Sequence, residues 1–226
     1  SLRASMGYWL EKRCIIEASA VVSLTQSAIE ILKNRHGLPH LEDKVCVIPT
    51  CVDTQRFQPS GNKEIEFDQI CFGTLLSGWF HTEALCKWID FTKSRNTLLL
   101  TNDRVEDVIS LIQEKTVSVR AVTSEEVPSY LLKARFSMLF FSSGLAKAGS
   151  CPTRLGESLA CGIPVLLYGE IGDCRDIVVS CRVGVNLKGL DSDSMSQALD
   201  ALEELLADPD LQRRCRATAT DLFGLD

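Results

Sequence analysis

The sequence predicts an α/β protein built on a doubly wound, parallel β-sheet. Short apolar segments alternate with amphipathic ones along most of the chain, and from residue 68 onward six strand candidates alternate with crossover helices. Strands that are apolar throughout are typical of a parallel sheet that helices cover on both faces. Ligands of such sheets bind at the carboxyl ends of the strands, near the point where the strand order reverses.

The part of the chain before this pattern is predicted to contain shorter elements. They are a helix at Leu2–Glu17, a strand at Ala20–Leu24, a helix at Gln26–Arg35 and a strand at Val45–Ile48. We expect Ala28, Ile31 and Leu32 to form the apolar face of the second helix, and Gly37 and Pro39 to end it. The stretch Thr50–Asn62 is interpreted as a connector.

The regular pattern that follows defines the main sheet and the loops around it. The predicted strands are Ile70–Gly73, Thr97–Thr101, Val117–Ala121, Phe136–Phe141, Ile163–Tyr168 and Val183–Leu187. The predicted helices are Thr82–Lys93, Arg104–Glu114, Ser124–Lys133, Ser192–Leu206 and Pro209–Phe223. Loops 73–79, 142–152 and 168–173 each follow the end of a strand, so we expect the binding site among them.

Composition excludes several classes of function. The chain has 226 residues, 45% of them apolar and 24% charged, which is typical of a globular protein with a sizeable core. A net charge of −6 with interspersed signs does not indicate a nucleic-acid partner. No apolar run approaches the length of a membrane span, and the amino terminus lacks the pattern of a signal peptide. The absence of an initiating Met is typical of a fragment or a processed chain.

The ten cysteines are scattered and contain no C-x-x-C pair, so no zinc site is predicted. Several of them, such as Cys71 and Cys161, lie in apolar segments, where cysteine acts as a small hydrophobic residue. We therefore expect reduced thiols and a cytoplasmic location. Gly37 and Pro39 separate His36 from His40, which argues against a helical metal-binding pair.

The segment Cys151–Val165 is the most informative one in the chain. It predicts a loop, a short helix beginning near Pro152, a stop at Gly162 and then a buried strand. Arg154 and Glu157 lie three positions apart, on one face of the first turn. A cation beside the free N–H groups of a helix start suits a phosphate, and a carboxylate one turn later suits a ribose diol. This combination indicates a nucleotide site.

Three segments together resemble the family-4 glycosyltransferases. Val47-Ile-Pro-Thr-Cys-Val-Asp-Thr-Gln-Arg-Phe-Gln-Pro59 resembles the V-I-P-N-G-V-D-x-x-x-F-x-P linker of that family. Pro152-Thr-Arg-Leu-Gly-Glu-Ser-Leu-Ala-Cys-Gly-Ile-Pro-Val165 is similar to its P-T-K-x-G-E-x-L-A-C-G-x-P-V segment. Gly172-Asp-Cys-Arg-Asp-Ile-Val178 and Val183-Gly-Val185 follow the downstream pattern.

The resemblance implies a GT-B architecture of two Rossmann-like domains and transfer of a sugar with retained configuration. Residues 1–44 would be the tail of the N-terminal, acceptor-binding domain, 45–63 the interdomain linker, and 64–226 the C-terminal domain that binds the nucleotide sugar. The expected enzyme is of the hexosyltransferase type, with a UDP-, GDP- or ADP-sugar as donor and no cofactor. Because most of the acceptor-binding domain is missing, the chain alone is expected to be inactive.

The resemblance also assigns roles to individual residues. Glu157 matches the glutamate that binds the ribose hydroxyls, and Arg154 matches a lysine beside the donor phosphates; both are the catalytic candidates. Thr153 and Gly156 match the phosphate-facing turn, although Gly156 equally fits close helix packing. The remaining substrate-binding candidates are Lys147, as a second cation for the diphosphate, and the glycine-led turn at Gly73 and Thr74.

The sequence departs from the family pattern at several positions. Gly149 stands where many members carry a first glutamate, and the usual arginine-containing phosphate loop after the first strand is missing. No D-x-D motif is present, so no metal is expected. Trp79 could stack on a base or sugar, but packing on the next helix is the preferred interpretation. Asp53 is interpreted as an Asx turn, and His81 as a helix-opening residue rather than a base.

Two alternatives remain open at this point. A degenerate, non-catalytic nucleotide-binding module serving protein association is consistent with the departure at Gly149. A sugar-nucleotide epimerase of the same architecture fits less well, because the linker motif argues against it. The sequence leaves the nucleotide base, the sugar, the acceptor and any membrane association open.

Overall fold

A computed structural model describes residues 2–61, 64–112 and 116–225 of the chain. Within them the strands are β1 Val21–Ser23, β2 Val45–Val47, β3 Phe67–Gly73, β4 Thr97–Thr101, β5 Val117–Ala121, β6 Ala134–Phe140, β7 Val165–Tyr168 and β8 Gly184–Asn186. The α-helices are α1 Leu2–Glu17, α2 Gln26–His36, α3 Thr82–Phe91, α4 Val105–Leu111, α5 Val127–Leu131, α6 Thr153–Ala160, α7 Cys174–Ser180, α8 Ser192–Leu206 and α9 Leu211–Phe223. Short 3₁₀ helices lie at Leu41–Lys44 and Leu145–Lys147.

The main sheet has six strands in the described part of the chain, and all of its pairings are parallel. Its order is β5-β4-β3-β6-β7-β8. Strands β4 and β5 are added on one side of β3, and strands β6 to β8 are added on the other side, so the strand order reverses between β3 and β6. This confirms the predicted doubly wound α/β fold and all six predicted strands. The carboxyl ends of β3 and β6 therefore flank the crevice in which such folds bind ligands.

The four inner strands of this sheet, β4, β3, β6 and β7, are mostly buried on both faces, as their continuous apolar character predicted, whereas the edge strands β5 and β8 are partly exposed. Ile70 and Phe72 of β3 pack into one core cluster with α6 and α9, whereas the intervening Cys71 packs into a second cluster with α3 and α8. The same alternation of faces continues along β4, β6 and β7. Cys71 and Cys161 are fully buried, as expected for small apolar residues.

Several predicted element boundaries were wrong. Helix α5 begins only at Val127, with Pro128 in its first turn, where a missing N–H costs little. Helix α4 ends at Leu111, and the rest of its predicted range reaches residues outside the described part. Helix α7, which begins at Cys174, was not predicted as a helix. Its seven residues show too little apolar periodicity to be recognised from sequence.

The N-terminal segment, residues 2–48, forms a small layer of its own. Strands β1 and β2 pair in parallel, and Ile29 of α2 packs with Ile15 and Leu41 beneath them. The predicted apolar face of α2 omitted Ile29, its most buried apolar residue, whereas Leu32 packs against this cluster as expected. Gly37 ends α2 in the left-handed region at φ 62°, as predicted.

The connector between the two layers is tightly held. The side chain of Arg216 on α9 donates to the carbonyl oxygens of Thr54 and Phe57 at 2.8 and 2.6 Å. Asp53 Oδ1 accepts hydrogen bonds from the backbone N–H groups two and three residues later, both at 3.0 Å, which confirms the Asx turn. Because Val52 and Phe57 are buried in the main core, the connector belongs to the packed structure.

Asp173 joins the N-terminal segment to the main layer. Its carboxylate accepts hydrogen bonds from the backbone N–H groups of Gln26 and Ser27, at 2.6 and 2.9 Å, and from the Ser27 hydroxyl at 2.5 Å. These N–H groups are the first two of α2, which have no partner within the helix. A carboxylate from another element thus caps this helix.

We predict that Asp173→Ala destabilises the protein by about 1–2 kcal/mol, since it leaves the first N–H groups of α2 without acceptors. Urea unfolding followed by circular dichroism measures this change. The matched control is Asp176→Ala, at an exposed aspartate in the first turn of α7 that forms no hydrogen bond to α2 in the described structure. Equal effects of the two substitutions would contradict a capping role for Asp173.

Candidate functional site

Helix α6 brings the candidate residues to the switch point of the sheet. Pro152 is the N-cap of this helix rather than its first residue, with φ −71° and ψ 127°, so the helix begins one residue later than predicted. Gly162, just past the carboxyl end, has φ 71°, as the predicted stop requires. Thr153 and Arg154 therefore form the first turn of α6, next to the end of β3.

A cavity of about 220 Å³ opens at this point, and we call it the switch-point cavity. It lies at the carboxyl ends of β3 and β4, between α6, the connector and the loop after β5. Five of the predicted site residues line it: Gly73, Thr74, Thr153, Arg154 and Glu157. The other lining residues are Arg56, Phe57, Phe72, Leu100, Thr101, Asn102, Val122, Ser124 and Val127.

The Arg154 guanidinium lies directly against the backbone of Gly73. Gly73 has φ 120°, and a Cβ atom there would overlap the guanidinium group. The guanidinium also lies over the ring of Phe80, 5.7 Å from its centroid. Its Nη1 is buried and has no hydrogen-bond partner within the described residues. A buried, unsatisfied cationic donor of this kind is suited to receive an anion from a ligand.

Glu157 lies one turn further along α6, on the wall of the same cavity. Burial raises the pKa of its carboxyl group above the ordinary value of 4.5, while Arg154 and Arg56 lower it by charge attraction. Among the described residues no donor forms a hydrogen bond to this carboxylate. Arg154 and Glu157 thus present a cation and an acceptor to the cavity without satisfying each other.

The sequence analysis missed Arg56 and Phe57, which come from the connector. The Arg56 side chain donates a hydrogen bond to the carbonyl oxygen of Ser124 and lies over the Phe57 ring, 5.1 Å from its centroid. Both residues belong to the linker motif, which was interpreted only as a connection. Phe57 occupies a defined position of that motif, which was an available signal, whereas Arg56 occupies a position that the motif leaves open.

Two predicted binding residues lie outside this cavity. Gly156 faces α9, where an added Cβ atom would come within 3.2 Å of Phe223, so the structure places it at a helix–helix contact. Lys147 lies in the loop after β6, and its Nζ is 3.2 Å from the centre of the Trp79 ring. Burial lowers the pKa of Lys147. Gly149, where a glutamate was expected from the resemblance, is exposed beside α2.

Two aromatic residues after β3 also differ in their roles. The expectation that Trp79 packs on the next helix was wrong, since its side chain is 52% exposed, whereas its neighbour Phe80 is buried. His81 caps α3, with Nδ1 accepting a hydrogen bond from the Ala84 N–H at 3.3 Å, and its ring contacts Tyr168. This agrees with its interpretation as a helix-opening residue.

Within the described ranges, no cluster of three or more His, Cys, Asp or Glu side chains has the arrangement of a metal site. The described helices include none with the length and apolar character needed to cross a bilayer.

The fold is that of solved glycosyltransferases. The glycosyltransferase AviGT4, involved in avilamycin A biosynthesis, matches over 90% of this chain and 58% of its own, with a TM-score of 0.62 and 21% identity. Sucrose-phosphate synthase from Thermosynechococcus elongatus matches over 97% of this chain and 58% of its own, with a TM-score of 0.64 and 17% identity. Anabaena HepE, solved in complex with UDP and glucose, matches over 93% and 61%, with a TM-score of 0.61 and 15% identity.

These similarities identify the sheet as a Rossmann-like domain of the GT-B type. The chain spans a little under three fifths of the length of AviGT4 and of the sucrose-phosphate synthase. No family model matches the sequence, and no curated protein does either.

We predict that Glu157→Gln makes the protein more stable at pH 7. Because burial raises the pKa of Glu157, ionising it costs more in the folded protein than in the unfolded chain. The wild type therefore loses stability as the pH rises from 4.5 through the raised pKa, and the glutamine variant does not. Urea unfolding at a series of pH values measures the difference, which should vanish at the acidic end.

The control for this comparison is Glu106→Gln, an exposed glutamate on α4 outside the cavity, whose effect should stay small at every pH. A wild type more stable than Glu157→Gln at pH 7 would mean that attraction to Arg154 and Arg56 outweighs the cost of burial.

Proposed function

We propose that this chain carries the donor-binding half of a retaining, family-4 glycosyltransferase that transfers a hexose from a nucleotide sugar. In this proposal residues 64–226 form the C-terminal, donor-binding domain, 45–63 the linker, and 1–44 the tail of the acceptor-binding domain. The cytoplasmic location stays a prediction from the cysteine pattern. The observation that carries the proposal is the pair Arg154 and Glu157, which line one cavity at the switch point and whose side chains form no hydrogen bond within the described residues, with Nη1 of Arg154 buried.

The cavity suits a nucleoside diphosphate. Glu157 offers a carboxylate to the two hydroxyl groups of a ribose, both of which are hydrogen-bond donors. Arg154, the start of α6 and the turn at Gly73 and Thr74 offer positive charge and N–H groups to the phosphates. The apolar side chains around the cavity, such as Val122 and Val127, leave room for a base against the loop after β5.

The same cations would assist the transfer step. The bond between the anomeric carbon and the diphosphate oxygen breaks, and the electron pair leaves with the nucleoside diphosphate. The acceptor hydroxyl oxygen forms the new bond to the anomeric carbon, and its proton passes to the leaving diphosphate. Arg154, with the helix start, stabilises the negative charge that develops on the leaving diphosphate. The acceptor site would come from the N-terminal domain, so we expect no transfer by this chain alone.

We predict that this chain binds one of UDP, GDP and ADP saturably, and that Glu157→Ala weakens the binding 10- to 100-fold, which corresponds to the loss of hydrogen bonds to a charged group. Isothermal titration calorimetry measures both. Arg154→Ala should weaken the binding of the nucleoside diphosphate and leave the binding of the free nucleoside unchanged, because it removes only a phosphate contact.

Glu106→Ala is the matched control and should bind like the wild type, since this residue lies outside the cavity. The donor-site proposal fails if none of the three nucleotides binds, or if Glu157→Ala and Glu106→Ala behave alike.

A second candidate function is a nucleotide-binding module without catalysis. The exposed Gly149 favours it, because the family glutamate expected there acts near the transferred sugar. Release of labelled glucose from UDP-, GDP- or ADP-glucose by the parent polypeptide separates the two functions. Saturable binding without any release or transfer would favour the module.

A further inference from the structure

A second cavity, of about 200 Å³, lies beside the first one, and we call it the Trp79 cavity. Arg154 and Thr153 line both cavities, so the candidate phosphate-binding cation stands between them. The remaining walls come from the loops after β3, β6 and β7: Trp79, Phe141, Ser150, Cys151, Pro152 and Ile171. A diphosphate held at Arg154 would therefore have its nucleoside on one side and its other substituent on this side.

Trp79 is held in an exposed position by its backbone. Its carbonyl oxygen accepts a hydrogen bond from the Ser142 N–H at 3.1 Å, and the next residue, Phe80, is buried and bridges to Phe141. The indole ring is nevertheless 52% exposed. A large, exposed aromatic surface on an anchored backbone beside a cavity is suited to stacking against a flat, partly apolar ligand.

Lys147 covers one face of this ring. Its Nζ lies 3.2 Å from the ring centroid, which is a close cation–π contact. Within the described residues no carboxylate forms an ion pair with this ammonium group. Lys147 therefore brings a positive charge, in addition to that of Arg154, to the ring of Trp79, which lines the cavity.

We propose that Trp79 and Lys147 form the recognition site for the sugar of the donor. The apolar C–H face of the sugar ring packs against the indole of Trp79, while the Lys147 ammonium moves from the ring face to the diphosphate or to a sugar hydroxyl. This inference rests on the proposed function, because it takes the nucleoside diphosphate to lie in the switch-point cavity. It assigns the preference for a sugar-bearing nucleotide to one exposed tryptophan.

The test compares each nucleoside diphosphate with its glucose conjugate: UDP with UDP-glucose, GDP with GDP-glucose and ADP with ADP-glucose. Trp79→Ala should weaken the binding of the glucose conjugate about tenfold and leave the binding of the matching diphosphate unchanged, because only the sugar packs against the indole ring. Trp9→Ala is the matched control, since Trp9 is 58% exposed on α1, outside the residues that line the cavity. It should change neither affinity.

Tryptophan fluorescence gives an independent readout. The chain contains three tryptophans, of which Trp88 is fully buried. Addition of the glucose conjugate should change the emission of the wild type, and this change should disappear in Trp79→Phe. Lys147→Gln should weaken the binding of the glucose conjugate several-fold. The control Lys93→Gln, at an exposed lysine after α3, should leave this binding unchanged.

The outcomes separate this inference from the proposed function. Equal weakening of the diphosphate and its glucose conjugate by Trp79→Ala, or no weakening of either, overturns the sugar site while nucleotide binding stands. Failure of the wild type to bind any of the six compounds overturns the sugar site together with the proposed function.

Discussion

The contact between α6 and α9 at Gly156 sets the geometry of the whole candidate site. Without a Cβ atom, Gly156 lets α6 lie directly against Phe223, and this brings the first turn of α6 to the end of β3. Gly73 then leaves room for the Arg154 guanidinium at the strand end. Two glycines, far apart in sequence, thus allow a helix start, a cation and a strand end to meet. A larger side chain at either position would move α6 or displace Arg154.

The local pattern of apolar residues was sufficient to predict the sheet. Thr97–Thr101 has its predicted bounds, because a strand buried on both faces stands out as an apolar run between turns. The edge strand Val117–Ala121 is partly exposed, and it also has its predicted bounds. Five predicted site residues also meet in one cavity, since they follow strand ends or open a helix, and the parallel topology brings such positions to one edge of the sheet.

Long-range packing decided what local pattern could not predict. The motif requires a glycine at position 156 both when this residue faces a ligand and when it faces another helix. Only the position of α9 shows that Gly156 faces a helix. Arg56 reaches the cavity because Arg216, 160 positions later, holds the connector by its carbonyl oxygens. The sequence contains no local signal for that contact. The prediction that Trp79 packs on the next helix failed for a related reason, because its neighbour Phe80 occupies the buried position instead.

The Asp173 cap has a mechanical consequence. The loop that carries Asp173 also contributes Ile171 to the Trp79 cavity, and the Gly172 N–H donates to the Lys147 carbonyl oxygen at 3.0 Å. Thr25, at the start of α2, donates to the Ala148 carbonyl oxygen in the same loop as Lys147. A force that tilts α2 would therefore pull on two walls of the Trp79 cavity at once. A displacement of the N-terminal segment would thus reach the cavity in which we place the sugar.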